Sequence, residues 1–168
     1  MIALDVAGLS LQFGGLRAID DLSIAVEAGE RLVILGPNGA GKTTLFNVIS
    51  GMLRPTSGRI ALFGQEVTRA SVARRVRLGL GRTFQIATLF PRLTVLESAM
   101  LAMQAGEPQR FVMHRSMDAY PGTRRRAIEL LEEWQLGAQA DRETRHLSYG
   151  EQRRVELVLA LARRPRLL

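Results

Sequence analysis

Cysteine is absent from this chain, aromatic residues make up only 5% of it, and of its 23 basic residues a single one, Lys42, is lysine. Without cysteine there is neither a disulfide framework nor a thiolate metal site, a composition that fits a reducing compartment. The scarcity of aromatics removes the stacking ladder that nucleic-acid binders interleave with their cations. The net charge of +7 is therefore read as arginine spread over solvated helix faces, some of it near anionic lipid headgroups, and no nucleic-acid partner is expected. No apolar run approaches the roughly 18 residues needed to cross a bilayer, and residues 1–5 lack the basic start and apolar block of a secretory signal. The expected location is the cytosol.

What is present is enough for one domain, since 168 residues at 46% apolar content can bury a real core. The lone lysine sits in Gly36-Pro37-Asn38-Gly39-Ala40-Gly41-Lys42-Thr43-Thr44. A chain that uses arginine everywhere else keeps lysine where a compact, mobile ammonium can lie along phosphate oxygens, a geometry the planar guanidinium does not match. The spacing is that of a P-loop, in which successive backbone N–H groups ring an anion, the lysine reaches the outer phosphates, and Thr43 places its hydroxyl on Mg²⁺. The context agrees. Arg31 to Leu35 is a short apolar run expected as a buried strand, and Thr43 to Ser50 places Leu45, Val48 and Ile49 at helical spacing and stops at Gly51. The positive end of that helix would face the anion.

Residues 2–13 and 22–26 alternate between apolar and polar positions and predict half-exposed strands, joined by a turn at Gly14-Gly15. A turn at 55–58 leads to a strand at 59–63, and Ser71 to Leu78 suits a short helix with an arginine-rich outer face. From about residue 86 the pattern becomes helical. Thr94 and Glu97 have capping-box spacing and open a helix through Met103, while Gly122 to Leu136 predicts another with Ile128, Leu131 and Trp134 on one face. Residues 106–121 read as a looser connection.

Leu147-Ser148-Tyr149-Gly150-Glu151-Gln152 leads into a last long helix. Ser148 and Glu151 can be read as a capping box. Leu147, Ser148 and Gly150 also match the signature sequence of ATP-binding cassette ATPases, from which Tyr149 (for glycine) and Glu151 (for glutamine) depart. The chain resembles that family over its whole length and in the family's order of motifs. The branched-chain amino-acid importer ATPases are the most similar branch, through residues 81–85, 89–90, 93–95 and 149–154.

The resemblance implies an α/β fold: a P-loop NTPase (RecA-like) core over about 1–85, an N-terminal antiparallel β-layer, and an inserted α-helical subdomain over about 86–162. It implies ATP and Mg²⁺ as cofactors, bound by residues 36–44, with Phe13 stacking on adenine, unless Phe13 is simply a core residue. Gln85 would reach Mg²⁺ and the attacking water beside Lys42, unless it is a plain surface glutamine. Ser148 and Gly150 would act in trans on the nucleotide of a second ATPase subunit, in a homo- or heterodimer. Residues 86–100, with Ile86, Leu89, Phe90 and Pro91 as an apolar loop, would meet membrane permease subunits, unless that loop merely packs locally. A periplasmic binding protein would take part indirectly, and the subunit would sit peripherally on the inner face of the cell membrane. Arg166-Leu167-Leu168 would open the strand that, in the family, continues to an Asp-Glu pair and later a switch histidine. His114 and His146 precede the place of that histidine. A cassette incomplete at its C-terminus and inactive alone in hydrolysis is therefore expected. The alternatives are a soluble cassette ATPase acting on nucleic acid or ribosomes, and an exporter ATPase.

Overall fold

A computed structural model describes residues 1–83, 89–104 and 120–168. The chain divides into two compact units, residues 1–80 with Leu167, and 81–166 with Leu168.

In the first unit, strands β1 (Ile2–Phe13) and β2 (Leu16–Glu27) form an antiparallel hairpin across the Gly14-Gly15 turn. Strand β3 (Ser57–Leu62) pairs antiparallel with the other edge of β1, and β4 (Gln65–Glu66) with β3, giving the order β2-β1-β3-β4. The loose alternation of β1 has a structural cause. Leu4 and Val6 share the buried face with Leu9 and Leu11, positions of opposite parity, because the ladder shifts register between Val6 and Leu9. Gly8 takes φ +59° within that irregularity, a conformation that a side chain disfavours and that lets a bulge reset which face the strand buries. Helix α1 (Lys42–Ser50) lays Leu45, Val48 and Ile49 on this face, and Ile60, Leu62 and Val67 complete the core. Gly51 ends α1 as expected.

Helix α2 (Val72–Arg77) starts at Ser71, whose hydroxyl accepts from the Arg74 N–H. Its arginines do not form a uniform outer face. Arg74 and Arg77 are exposed, but Arg75 is only 1% exposed and donates to the carbonyls of Val48 and Ile49 at 2.7 and 2.6 Å, and to those of Thr68 and Ala70 at 3.1 and 3.2 Å. The last turn of α1 carries no basic residue of its own. The Val48 carbonyl also accepts from the Gly51 N–H at 3.0 Å; Arg75 supplies from a distant segment the positive charge that suits the negative helix end, and a donor for Ile49. Burial pushes its guanidinium below the usual arginine range.

Two expectations fail in this unit. Residues 31–35 form no strand: Leu32, Val33 and Leu35 are exposed, Leu35 at 87%, and only Ile34 packs against the core. Apolar, β-branched composition makes a segment fit to be a strand, but a strand exists only as a hydrogen-bonded pair, and no described residue pairs with this one. At the chain's end the expected strand amounts to a parallel bridge between Leu167 and Leu80, with the Leu167 N–H on the Gly79 carbonyl at 3.1 Å, and Leu168 stays exposed.

The second unit is helical. Helices α3 (Val95–Gln104), α4 (Pro121–Glu133) and α5 (Tyr149–Leu161) pack around Val95, Leu96, Ala99, Met100, Ala127, Leu131, Val155 and Val158. The box at Thr94 forms in both directions: Thr94 N–H to the Glu97 carboxylate at 2.7 Å, and Glu97 N–H to the Thr94 hydroxyl at 3.1 Å. On α4 the fully buried stripe is Thr123, Ala127 and Leu131, while Ile128 and Trp134 flank it half-buried. Residues 106–119 of the expected loose connection lie outside the described residues.

Candidate functional site

Gly41 fixes the start of α1. It adopts φ +81°, and a Cβ there would lie 2.5 Å from the carbonyl oxygen of Ala18 in β2. Both the handedness of the turn and the closeness of β2 demand glycine. The loop closes with Ala40 N–H on the Pro37 carbonyl at 3.2 Å, and the first helical bond runs from Leu45 N–H to Gly41 at 2.8 Å. The N–H groups of Gly41, Lys42, Thr43 and Thr44 have no acceptor among the described residues. The Lys42 ammonium folds over the loop and donates to the carbonyls of Gly36 and Pro37 at 2.6 and 2.7 Å. Gly36 to Ala40 and Thr43 are exposed, and Lys42 and Thr44 half-buried. A row of unpaired N–H donors at a helix N-terminus, flanked by an ammonium and a threonine hydroxyl, is an anion cradle that suits a polyphosphate. Those donors fit ATP, and the exposed Thr43 hydroxyl fits the edge of a Mg²⁺ shell.

Phe13 ends β1 at the hairpin turn and is 49% exposed. It is not a core residue, and its ring is available to stack on a ligand. Gln85 and Ile86 lie outside the described residues, as does His114. Leu89 packs against the helical core, whereas Phe90 is 58% exposed and Pro91 is exposed. This loop is stitched to the segment before α5: Thr144 donates its hydroxyl to the Phe90 carbonyl at 2.7 Å and its N–H to Leu93 at 3.0 Å.

At the start of α5, Leu147 is buried, while Ser148, Tyr149 and Gly150 are exposed. The Ser148–Glu151 capping box is complete. The Glu151 Oε2 accepts from the Ser148 N–H at 2.8 Å and the Ser148 hydroxyl at 2.7 Å, and the Glu151 N–H reaches back to the Ser148 Oγ at 3.3 Å. The Glu151 Oε1 faces Gln139 Nε2 at 3.2 Å and Arg142 Nη1 at 3.6 Å. The Ser148 hydroxyl and N–H hold this carboxyl below the usual carboxylate range against an opposing effect of burial, with smaller help from Arg142 and then Gln139. The N–H groups of Tyr149 and Gly150 have no acceptor among the described residues. Gln152 braces the turn through the carbonyls of Thr144 and Leu147 at 3.3 and 3.1 Å. His146 is exposed in a short 3-10 turn.

Gln139, Arg142 and Thr144 carry no motif that singles them out in the sequence, and Arg75, expected on an outer helix face, is buried instead.

Residues 19–168 match the sequence profile of the ABC transporter family. Over 98% of its length the chain is 37% identical to the high-affinity branched-chain amino acid transport ATP-binding protein BraF of Pseudomonas aeruginosa, of which it spans 67%. The ADP conformation of MJ1267, an ATP-binding cassette of an ABC transporter, superposes with a TM-score of 0.85 at 32% identity, covering 98% of this chain and 66% of that one. A dimeric post-hydrolysis state of the cassette MJ0796, bound to ADP and Pi, superposes at 0.79 with 26% identity, covering 96% and 70%. The chain thus spans about two thirds of the length of these relatives.

Proposed function

This chain belongs to the ABC transporter family as an ATP-binding cassette, and we propose that it binds Mg-ATP at residues 36–44 and hydrolyses it as part of a complete subunit to drive solute import. The observation that carries the reading is the cradle itself, a lysine ammonium and four N–H donors with no acceptor among the described residues, at the N-terminus of α1. Lys42 and the N–H groups of residues 41–44 bind the phosphates, Thr43 and Gln85 serve Mg²⁺, and Phe13 offers the base its exposed ring. Two cassettes pair head to tail so that Ser148 and Gly150 of one meet the nucleotide of the other, a reading supported by the dimeric state of the 26% identical MJ0796. The name of BraF supports branched-chain amino acids as the imported class. On this reading the exposed Phe90 and its neighbours in 86–100 meet a membrane permease, a periplasmic binding protein delivers the solute, and the subunit lies on the cytoplasmic face of the membrane.

Lys42→Ala tests the cradle. Each charge-assisted contact from the ammonium is worth about 1.5–3 kcal/mol, so equilibrium binding of a fluorescent ATP analogue should be lost. Unchanged binding would remove residues 36–44 from the site.

A further inference from the structure

The start of α5 already holds an anion of the chain's own. On the family reading, the Ser148 hydroxyl and the first N–H groups of this helix are offered to a phosphate of the partner's nucleotide. Here the Ser148 hydroxyl donates to the Glu151 carboxylate at 2.7 Å, the Ser148 N–H donates to the same oxygen at 2.8 Å, and the Glu151 N–H points to Ser148. A hydroxyl has one proton to donate, so the serine cannot serve Glu151 and a phosphate at once. A carboxylate beside an incoming phosphate also repels it. The N–H groups of Tyr149 and Gly150 have no acceptor among the described residues, so there the helix end is half taken and half open.

The two oxygens of this carboxylate have different holders. Oε2 is on Ser148, whereas Oε1 is on Gln139 Nε2 and near Arg142 Nη1. Rotation about the last side-chain bonds can release Oε2 while Oε1 keeps its contacts with Gln139 and Arg142.

We propose that Glu151 is a displaceable latch on the signature helix: it occupies Ser148 until the phosphate of a partner-bound nucleotide takes the serine, and Gln139 and Arg142 then retain the released carboxylate. The proposal rests on the head-to-tail reading above. It assigns Glu151 a specificity role, since only a ligand anionic enough to displace a carboxylate can engage the helix end. A nucleoside triphosphate meets that requirement better than a diphosphate.

Glutamine at position 151 preserves capping-box hydrogen bonds but carries no charge, so the latch and a plain cap predict opposite changes. In Glu151→Gln the thermal midpoint without nucleotide should fall by a few degrees. Self-association driven by a slowly hydrolysed Mg-ATP analogue, followed by sedimentation velocity, should become about tenfold tighter, ~1.4 kcal/mol. Arg142→Ala, which leaves the released carboxylate without a compensating cation beside the phosphate, should weaken the same association severalfold. Unchanged or weaker association in a folded Glu151→Gln would overturn the latch, as would unchanged association in Arg142→Ala should Glu151→Gln not fold. If the parent chain binds the analogue in a Lys42-dependent way yet never associates, the head-to-tail reading falls and takes the latch with it. Loss of the association in Lys42→Ala separates nucleotide-driven pairing from unspecific self-association.

Discussion

Arg75→Met would remove a guanidinium that four carbonyls share and leave an apolar side chain of similar length. The acceptors on Val48 and Ile49, at 2.7 and 2.6 Å, are the buried ones. A buried carbonyl stripped of its donor costs about 1–3 kcal/mol; Val48 keeps the Gly51 N–H at 3.0 Å, so that cost falls on Ile49, and the bond lost at Val48 adds about 1 kcal/mol, about 2–4 kcal/mol together. Part of this is offset, because the buried guanidinium itself carries a desolvation cost that methionine does not. The acceptors on Thr68 and Ala70, at 3.1 and 3.2 Å and only part-buried, retain some access to water. A net loss of about 2 kcal/mol is expected. That is a large share of the roughly 5–15 kcal/mol by which domains are stable. For a chain of this size it corresponds to a fall of about 6 °C in the thermal midpoint. Urea unfolding followed by far-ultraviolet circular dichroism should show a lower midpoint at unchanged slope. Arg75→Lys, with three donors on a narrower head, should recover about half of the loss. A methionine variant within 1 kcal/mol of the parent would mean that the carbonyl end of α1 needs no external donor, and the account of Arg75 would be wrong.

Gly41→Ala forces a methyl group into a left-handed turn 2.5 Å from the Ala18 carbonyl, a strain of about 1–3 kcal/mol; ATP-analogue affinity should fall about tenfold or more, while Gly122→Ala, where nothing lies near an added Cβ, should leave it unchanged. The Glu151 carboxyl is held below its unfolded value by Ser148, Arg142 and Gln139, so its contribution to stability is full above the unfolded carboxylate value of about 4.3 and is lost as pH falls through the folded one. Thermal midpoints of the parent and Glu151→Gln should therefore converge on acidification below about pH 4, and a gap that stays constant from pH 7 to pH 3 would refute the attribution.

The elements that were legible in the sequence are those whose signals are local. Alternation gave β1 and β2, glycine and spacing gave α1, and the boxes at Thr94–Glu97 and Ser148–Glu151 formed as read. The cradle was legible for the same reason, since a run of nine residues contains its glycines, lysine and threonines together. What escaped depends on distant partners. Residues 31–35 have the composition of a buried strand but lack a described neighbour to pair with. Arg74, Arg75 and Arg77 look alike in sequence, and only the carbonyls of α1, some 26 residues earlier for Ile49, select Arg75 for the interior. The reset of parity at Gly8 blurred the alternation of β1, because a bulge changes the buried face without changing composition.

The solitary lysine gives the loop a chemical address. Apart from the N-terminal amine, the Lys42 ammonium, half-buried over Gly36 and Pro37, is the chain's only primary amine. An acylating reagent therefore marks one side chain, and a lysine-specific protease can cut at one bond, between Lys42 and Thr43 inside the first turn of α1. Mass spectrometry of the unmodified, tag-free chain thus reads the occupancy and opening of this one turn without any engineered reporter.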